Sequence, residues 1–190
     1  MTESEQVVAP KAFMPLKKQT ACPNKFIVVP GGWLLSRDST ASLCTFPLGA
    51  CLGIAIYDPV AKVGGLLHSL LPASSLDPKR AASRPGMFLD TGLTALLDGA
   101  QRLKATRKSL RVFVAGAAQI IDETALFNIG KINCDILPQL LRQLGVKLHA
   151  QNVGGRTNRS MELILATGEV LLKFSGQTAS MLLCKPSKTT

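Results

Sequence analysis

A chain of 190 residues with 46% hydrophobic content and 16 glycines is long enough to bury about 70% of its unfolded surface in one domain, which excludes a low-complexity or fibrous protein. The formal net charge of +10 favours acidic partners. One Trp, one Tyr and seven Phe are few rings on which to stack single-stranded nucleic acid, so nucleic acid is not expected as a partner, and no apolar run reaches the roughly 18–20 residues of a membrane helix, so no membrane insertion is expected.

The first 21 residues mix Glu, Lys, Pro and Ala without period and read as an extension; "MTESEQVVAPKAFMPLKK" has no apolar core of a secretory signal. Five cysteines, Cys22, Cys44, Cys51, Cys134 and Cys184, then read as reduced thiols of a cytoplasmic protein. "KFIVV" and "WLLS" read as short strands around Pro30-Gly31-Gly32. "CLGIAIYD" and "VGGLLHSLL" are the next two strands, with the turn between them at Pro59–Lys62. Residues 73–87, "ASSLDPKRAASRPGM", read as a loop carrying Lys79, Arg80 and Arg84. From Thr91 to Lys104 the apolar residues Leu93, Leu96, Leu97, Ala100 and Leu103 fall on one helical stripe. "LRVFVAG" is a buried strand. "DILPQLLRQLG" is a second amphipathic helix, with Asp135 as N-cap and Gly145 as its stop. "VKLHAQNVGG" follows as strand and turn, and "SMELILATGEVLLKF" as a hairpin turning at Thr167-Gly168.

Strands surround two helices without a regular βαβ alternation. The expected class is therefore α+β, a layered αβ domain with mixed or antiparallel sheets flanked by helices. One domain over residues 22–176 is expected, with 177–190 as a tail. There is no P-loop and no GxGxxG after a strand.

The stretch "PLGACLGIAIYDPVAKVGGLLHSLLP" carries the chemistry. If its two strands form an antiparallel hairpin across a two-residue Pro59-Val60 turn, pairing Ile56 with Val63, Cys51 stands opposite His68 on one face. A slip of one residue would separate them. A neighbouring imidazolium stabilises a thiolate nucleophile, and Gly49 and Ala50 leave main-chain N–H groups free to meet an oxyanion. The bland reading is a buried thiol and a core histidine. A zinc site from Cys44, Cys51, His68 and Cys134 lacks the short Cys-x-x-Cys pair that anchors such sites, and no metal is expected.

"LGAC" followed by "IAIYDPVAKVGGLLHSLLP" resembles the signature of the chemoreceptor glutamine deamidases, the CheD family. The likeness continues in the family's order through "MFLDTGLTALLDGAQRL", "VFVAGAAQ", "NIGKIN", "NVGGRTNRSMEL" and "ATGEVLLKF", over about residues 25–174. Ala50 stands where the family has Ser, Pro47 is an unusual entry to the loop, and Ala115 stands where a glycine is usual. The resemblance implies hydrolysis of glutamine side-chain amides on methyl-accepting chemotaxis receptors, with receptor methylesterase activity in some members. It implies a catalytic triad of Cys51, His68 and Thr45, no cofactor, and a fold like that of the cytotoxic-necrotising-toxin deamidases. It also implies a CheC-type phosphatase as partner, so that the alternative role is regulatory binding. Lys79, Arg80 and Arg84 are the candidate receptor contacts, on charge alone.

Overall fold

The computed structural model describes residues 16–17, 24–119 and 128–184. Cys22, most of the N-terminal extension and residues 185–190 lie outside the described residues, as does the side chain of Cys184.

Two sheets pack face to face and helices cover the outer side of one of them. The strands in chain order are β1 (Leu16–Lys17), β2 (Lys25–Val28), β3 (Trp33–Ser36), β4 (Ser42–Thr45), β5 (Leu52–Asp58), β6 (Val63–Ser69), β7 (Arg111–Gly116), β8 (Leu148–Val153), β9 (Arg159–Ile164), β10 (Glu169–Phe174) and β11 (Ser180–Cys184). The helices are α1 (Pro78–Ser83), α2 (Leu89–Arg102) and α3 (Ile129–Gln143). Among the described residues the first sheet has the order β1-β2-β4-β9-β10-β11 and the second β3-β6-β5-β7-β8. Both are mixed: β2 and β4 are parallel in the first, β7 and β8 in the second, and every other pair is antiparallel. The layered αβ class expected from the sequence is the one observed.

Alternation along β5 and β6 sorts the two cores, because successive strand residues face opposite sides of a sheet. Leu52, Ile54, Ile56, Val63 and Leu67 meet Leu89, Leu93, Leu96 and Leu97 of α2, together with Leu137 and Leu141 of α3. Ala55, Tyr57 and Leu66 face the other way, into the space between the sheets, with Leu43, Leu48, Phe113, Met161 and Leu163. The glycines of "VGG" follow from this packing. A Cβ on Gly64 would run into Leu165, and one on Gly65 into Leu35.

The structure corrects four details of the sequence reading. The β5–β6 register pairs Asp58 with Val63, Gly53 with His68 and Leu52 with Ser69, two residues from the expected register. Asp58 Oδ1 accepts from the N–H groups of Val60 and Ala61, and Lys62 takes φ 53°, closing a longer loop than the tight turn assumed. Residues 73–87 are not all loop: Asp77 caps α1 by accepting from Arg80 N–H at 2.9 Å, and Pro78 occupies the first turn, where its missing N–H is harmless. Helix α3 begins at Ile129, capped by Asn128. Asp135 is therefore not an N-cap but a mid-helix residue paired with Lys131 at 2.6 Å. Finally, Ser180–Cys184, placed in the tail by sequence, adds an edge strand to β10.

Candidate active site

The loop of residues 46–51, which carries the candidate nucleophile Cys51, leaves β4 and enters β5. Its backbone is fixed on several sides. Leu48 and Arg159 exchange backbone hydrogen bonds, 2.7 Å from Leu48 N–H and 3.4 Å from Arg159 N–H. The Gly49 carbonyl accepts from Ala118 N–H at 2.8 Å, and the Cys51 carbonyl from Ala117 N–H at 2.8 Å. The Ala50 carbonyl accepts from Asn133 Nδ2 at 3.4 Å. In a trans peptide the N–H points opposite to the carbonyl, and no cis bond occurs among the described residues. Pinning the carbonyls of Gly49 and Ala50 therefore turns the N–H groups of Ala50 and Cys51 the other way. The Cys51 N–H favours the thiolate of its own sulfur, a pull that burial outweighs. These are donors of the kind an oxyanion needs.

Cys51 precedes β5 by one residue and lies two positions before Gly53, the partner of His68. The observed register differs from the expected one by two residues, an even number, so Cys51 and His68 keep a common face. They stand as diagonal rather than direct neighbours, a backbone separation of about 7–8 Å that side chains can bridge. Gly53 has no side chain to intrude, and a Cβ there would strike Leu48. Cys51 is half-buried and packs against the inter-sheet core.

His68 is 1% exposed. Its backbone is held by Gly32 and Gly31, through His68 N–H to the Gly32 carbonyl at 3.0 Å and Gly31 N–H to the His68 carbonyl at 2.8 Å. Burial pushes the imidazole pKa down to about 4, with a hydrogen bond to the Val28 backbone opposing the shift. Nδ1 has no hydrogen-bond partner among the described residues. Burial also raises the Cys51 thiol, against the bond from its own N–H. Burial thus opposes the expected imidazolium–thiolate pair from both sides and favours the neutral form of each group.

Thr45 ends β4 and is 5% exposed. Its side chain stands over Gly53: a Cβ on that glycine would lie 3.5 Å from the Thr45 methyl. Its Oγ1 accepts from Met161 N–H at 3.0 Å. Thr45 thus borders the His68 position, but the hydrogen bond it makes is to the first sheet and not to the free Nδ1. Cys44, the next residue back, faces the opposite side of the sheet. It sits beside Lys25 and Glu162, themselves 2.8 Å apart, and its thiol is pushed up to about 12 by burial and then by Glu162. A cavity of about 300 Å³ opens on that outer side, lined by Cys44, Thr45, Phe46 and Glu162 among others but not by Cys51 or His68. Among the described residues no cluster of three His, Cys, Asp or Glu is placed to hold a metal, and Cys44 faces away from Cys51.

Residues 72–86 leave β6 and return to it. Leu70 and Leu71 N–H both donate to the Met87 carbonyl, at 3.0 and 2.9 Å, so the excursion carrying α1 is closed at the His68 end of the strand. Lys79 and Arg80 are exposed on it, while Arg84 is partly buried. His149 is exposed on β8, where Nδ1 accepts from Val112 N–H at 3.2 Å, away from Cys51.

Two supporting residues carry more than the sequence suggested. Gly116 has φ +118°, and a Cβ there would collide with the Cys51 carbonyl; a strand ending in glycine was the only sign of it. Arg159, 3% exposed, lies over the Phe174 ring at 5.3 Å. Its guanidinium donates to the Asn152 side chain and to the carbonyls of Asn152, Gly154 and Thr157. It therefore ties the 152–157 turn to the strand that bridges Leu48.

The family described as CheD chemotactic sensory transduction matches residues 70–174. "Probable chemoreceptor glutamine deamidase CheD 1" of Syntrophus aciditrophicus is 44% identical over 134 residues, 70% of this chain and 84% of that protein. "Probable chemoreceptor glutamine deamidase CheD" of Solibacter usitatus is 38% identical over 146 residues, 77% of this chain and 86% of that one. Among solved structures, the crystal structure of Bacillus licheniformis hypothetical protein YfiH aligns with a TM-score of 0.38 and 13% identity, over 65% of this chain and 49% of that one, too slight a likeness to bear on fold or chemistry.

Proposed function

The chain belongs to the CheD family, and from that membership we propose that it deamidates selected glutamine side chains of chemotaxis receptors to glutamate. The observation that carries the proposal is the placement of Cys51 and His68 at diagonal positions on one face of the β5–β6 hairpin, within the stretch that resembles the deamidase signature. The Cys51 sulfur attacks the amide carbon while neutral His68 takes the thiol proton. The tetrahedral oxyanion is received by backbone N–H groups of the nucleophile loop. His68 returns the proton to the departing nitrogen, which leaves as ammonia, and the C–N bond breaks to give a thioester. Water, deprotonated by His68, then cleaves the C–S bond and regenerates the thiol. Thr45 limits the swing of the imidazole, the positioning role that a carboxylate has in other triads.

The proposal carries four further parts. The fold is of the cytotoxic-necrotising-toxin deamidase type, on the resemblance stated above. The same thioester chemistry serves receptor glutamyl methyl esters, with methanol leaving instead of ammonia. The protein acts in the cytoplasm, where receptor signalling domains are reached, and it is consistent with this that no helix among the described residues is long and apolar enough to cross a membrane. Association with a CheC-type phosphatase is proposed as a secondary property.

Mass spectrometry of a receptor co-expressed with the protein tests the reading. Peptides containing modified sites gain the mass of one Gln→Glu conversion with wild type and not with Cys51→Ala or His68→Ala. A folded Cys51→Ala variant that still converts the receptor would remove the assignment. Normal chemotaxis in a Cys51→Ala strain would favour the regulatory role instead.

A further inference from the structure

Asn133 is the polar side chain of α3 that is withdrawn most completely from water, at 1% exposure. It enters the gap between two strand ends. Its Nδ2 donates to the Ala50 carbonyl at 3.4 Å and to the Leu70 carbonyl at 3.3 Å. Both partners are carbonyls, so the amide nitrogen must be the atom that faces them. Ala50 immediately precedes the nucleophile, and Leu70 follows His68 by two residues. One side chain thus ties the Cys51 backbone to the His68 strand from a third element. Its Oδ1 is buried with no partner among the described residues, a costly arrangement that packing alone does not explain.

We propose that Asn133 is a positioning residue of the deamidase site, which aims the Cys51 N–H by holding the Ala50 carbonyl and sets the spacing of Cys51 and His68 by holding the Leu70 carbonyl. The peptide between Ala50 and Cys51 is one rigid plane. Its oxygen is fixed by Asn133, so its N–H points at the sulfur and at the place where an oxyanion forms. The flanking Gly49 and Cys51 carbonyls are held by backbone N–H groups at 2.8 Å, but the Ala50 carbonyl is held by Asn133, and without it the aim of the donor is loosened. The 3.3 and 3.4 Å lengths leave room for these bonds to tighten when substrate seats.

The inference rests on the proposed deamidation, so its test has one arm that does not use that reaction. In Asn133→Ala, kcat on a glutamine peptide should fall by about 10- to 100-fold with KM changed by less than about threefold, since an oxyanion donor acts in the transition state. Alkylation of Cys51 by iodoacetamide at pH 7, followed by peptide mapping, should slow by roughly threefold or more, because the sulfur loses its N–H donor. Asn133→Ser keeps one short donor and should lie between the two proteins in both measurements; it also serves if the alanine variant does not fold. A folded Asn133→Ala, or Asn133→Ser in its place, with kcat and Cys51 alkylation within about twofold of wild type would overturn the assignment. Slowed alkylation in a protein whose wild type deamidates nothing would uphold the positioning role and remove the deamidation reading instead.

Discussion

The most quantitative consequence of the site is the pH at which His68 takes a proton. Its ordinary pKa is 6.5 and burial pushes it down to about 4. The folded protein holds His68 neutral through the window from pH 6.5 to 4, while the unfolded chain becomes protonated within it. The unfolded state binds more protons there, so stability present above pH 6.5 is lost as pH falls towards 4. The gap corresponds to about 3 kcal/mol at pH 4, a large share of a typical net stability. Urea unfolding of wild type and His68→Gln at pH 7 and pH 4 isolates the effect, because carboxylate titrations are common to both and cancel. Wild type should lose about 3 kcal/mol more than the variant over that interval. Parallel losses would mean that His68 is solvated in the folded protein and titrates as it does in the unfolded chain. The same burial sets the acid limb of kcat/KM. A base that protonates near pH 4 stays competent through pH 5, and an acid limb centred near 6.5 would contradict the reasoning independently.

Gly116→Ala should lower stability by about 1–3 kcal/mol, since φ +118° suits only glycine; the added methyl strikes the Cys51 carbonyl, so peptide deamidation should be lost even at temperatures where circular dichroism shows a folded protein. Thr45→Val keeps the shape but leaves the buried Met161 N–H without its acceptor, a destabilisation of about 1–3 kcal/mol in urea titration; its kcat should fall less than that of Cys51→Ala, and an equal loss would assign Thr45 a direct chemical role. If acidic receptor faces steer this +10 chain, raising salt from about 50 to 300 mM should lower kcat/KM on intact receptor far more than on a short peptide. Lys79→Ser with Arg80→Ser should flatten that dependence, and salt-insensitive receptor turnover would leave those residues as a solvated face.

The common face of Cys51 and His68 was legible because strand period decides parity, and an error of two in register preserves it. The error itself was avoidable. Pro59 at the first position of a two-residue turn cannot take the positive φ that such turns require, and Asp58 offers a side-chain acceptor for a longer one. Asp77-Pro78 likewise spelled a helix start inside a stretch read as loop. The start of α3 was harder. Asp135 three residues before Pro138 imitates a capped first turn, and the true cap, Asn128, precedes "IGKIN", whose apolar residues do not continue the stripe of Leu137 and Leu141. The burial of His68 was not legible at all. Its depth depends on the first sheet closing over β6, a contact between residues far apart in the chain. The role of Asn133 depends in the same way on two carbonyls that no side-chain pattern records.

Sequence spacing suggested a thiolate prepared in advance by an imidazolium, and the folded environment opposes that state from both sides. Burial raises the thiol and lowers the imidazole, so an ion pair at rest would place two charges where neither is hydrated. In the proposed mechanism proton transfer therefore accompanies attack, at the moment when the substrate carbonyl supplies the negative centre and the loop N–H groups receive it. Such a site spends its electrostatic advantage in the transition state, where it raises kcat, and not in the ground state. It also leaves the resting sulfur a poor target for small electrophiles that bring no oxyanion with them. The departures of Ala50 and Ala115 from the family pattern fit this arrangement, since the Ala50 carbonyl, not its side chain, is what Asn133 holds, and Ala115 is wholly buried between the sheets.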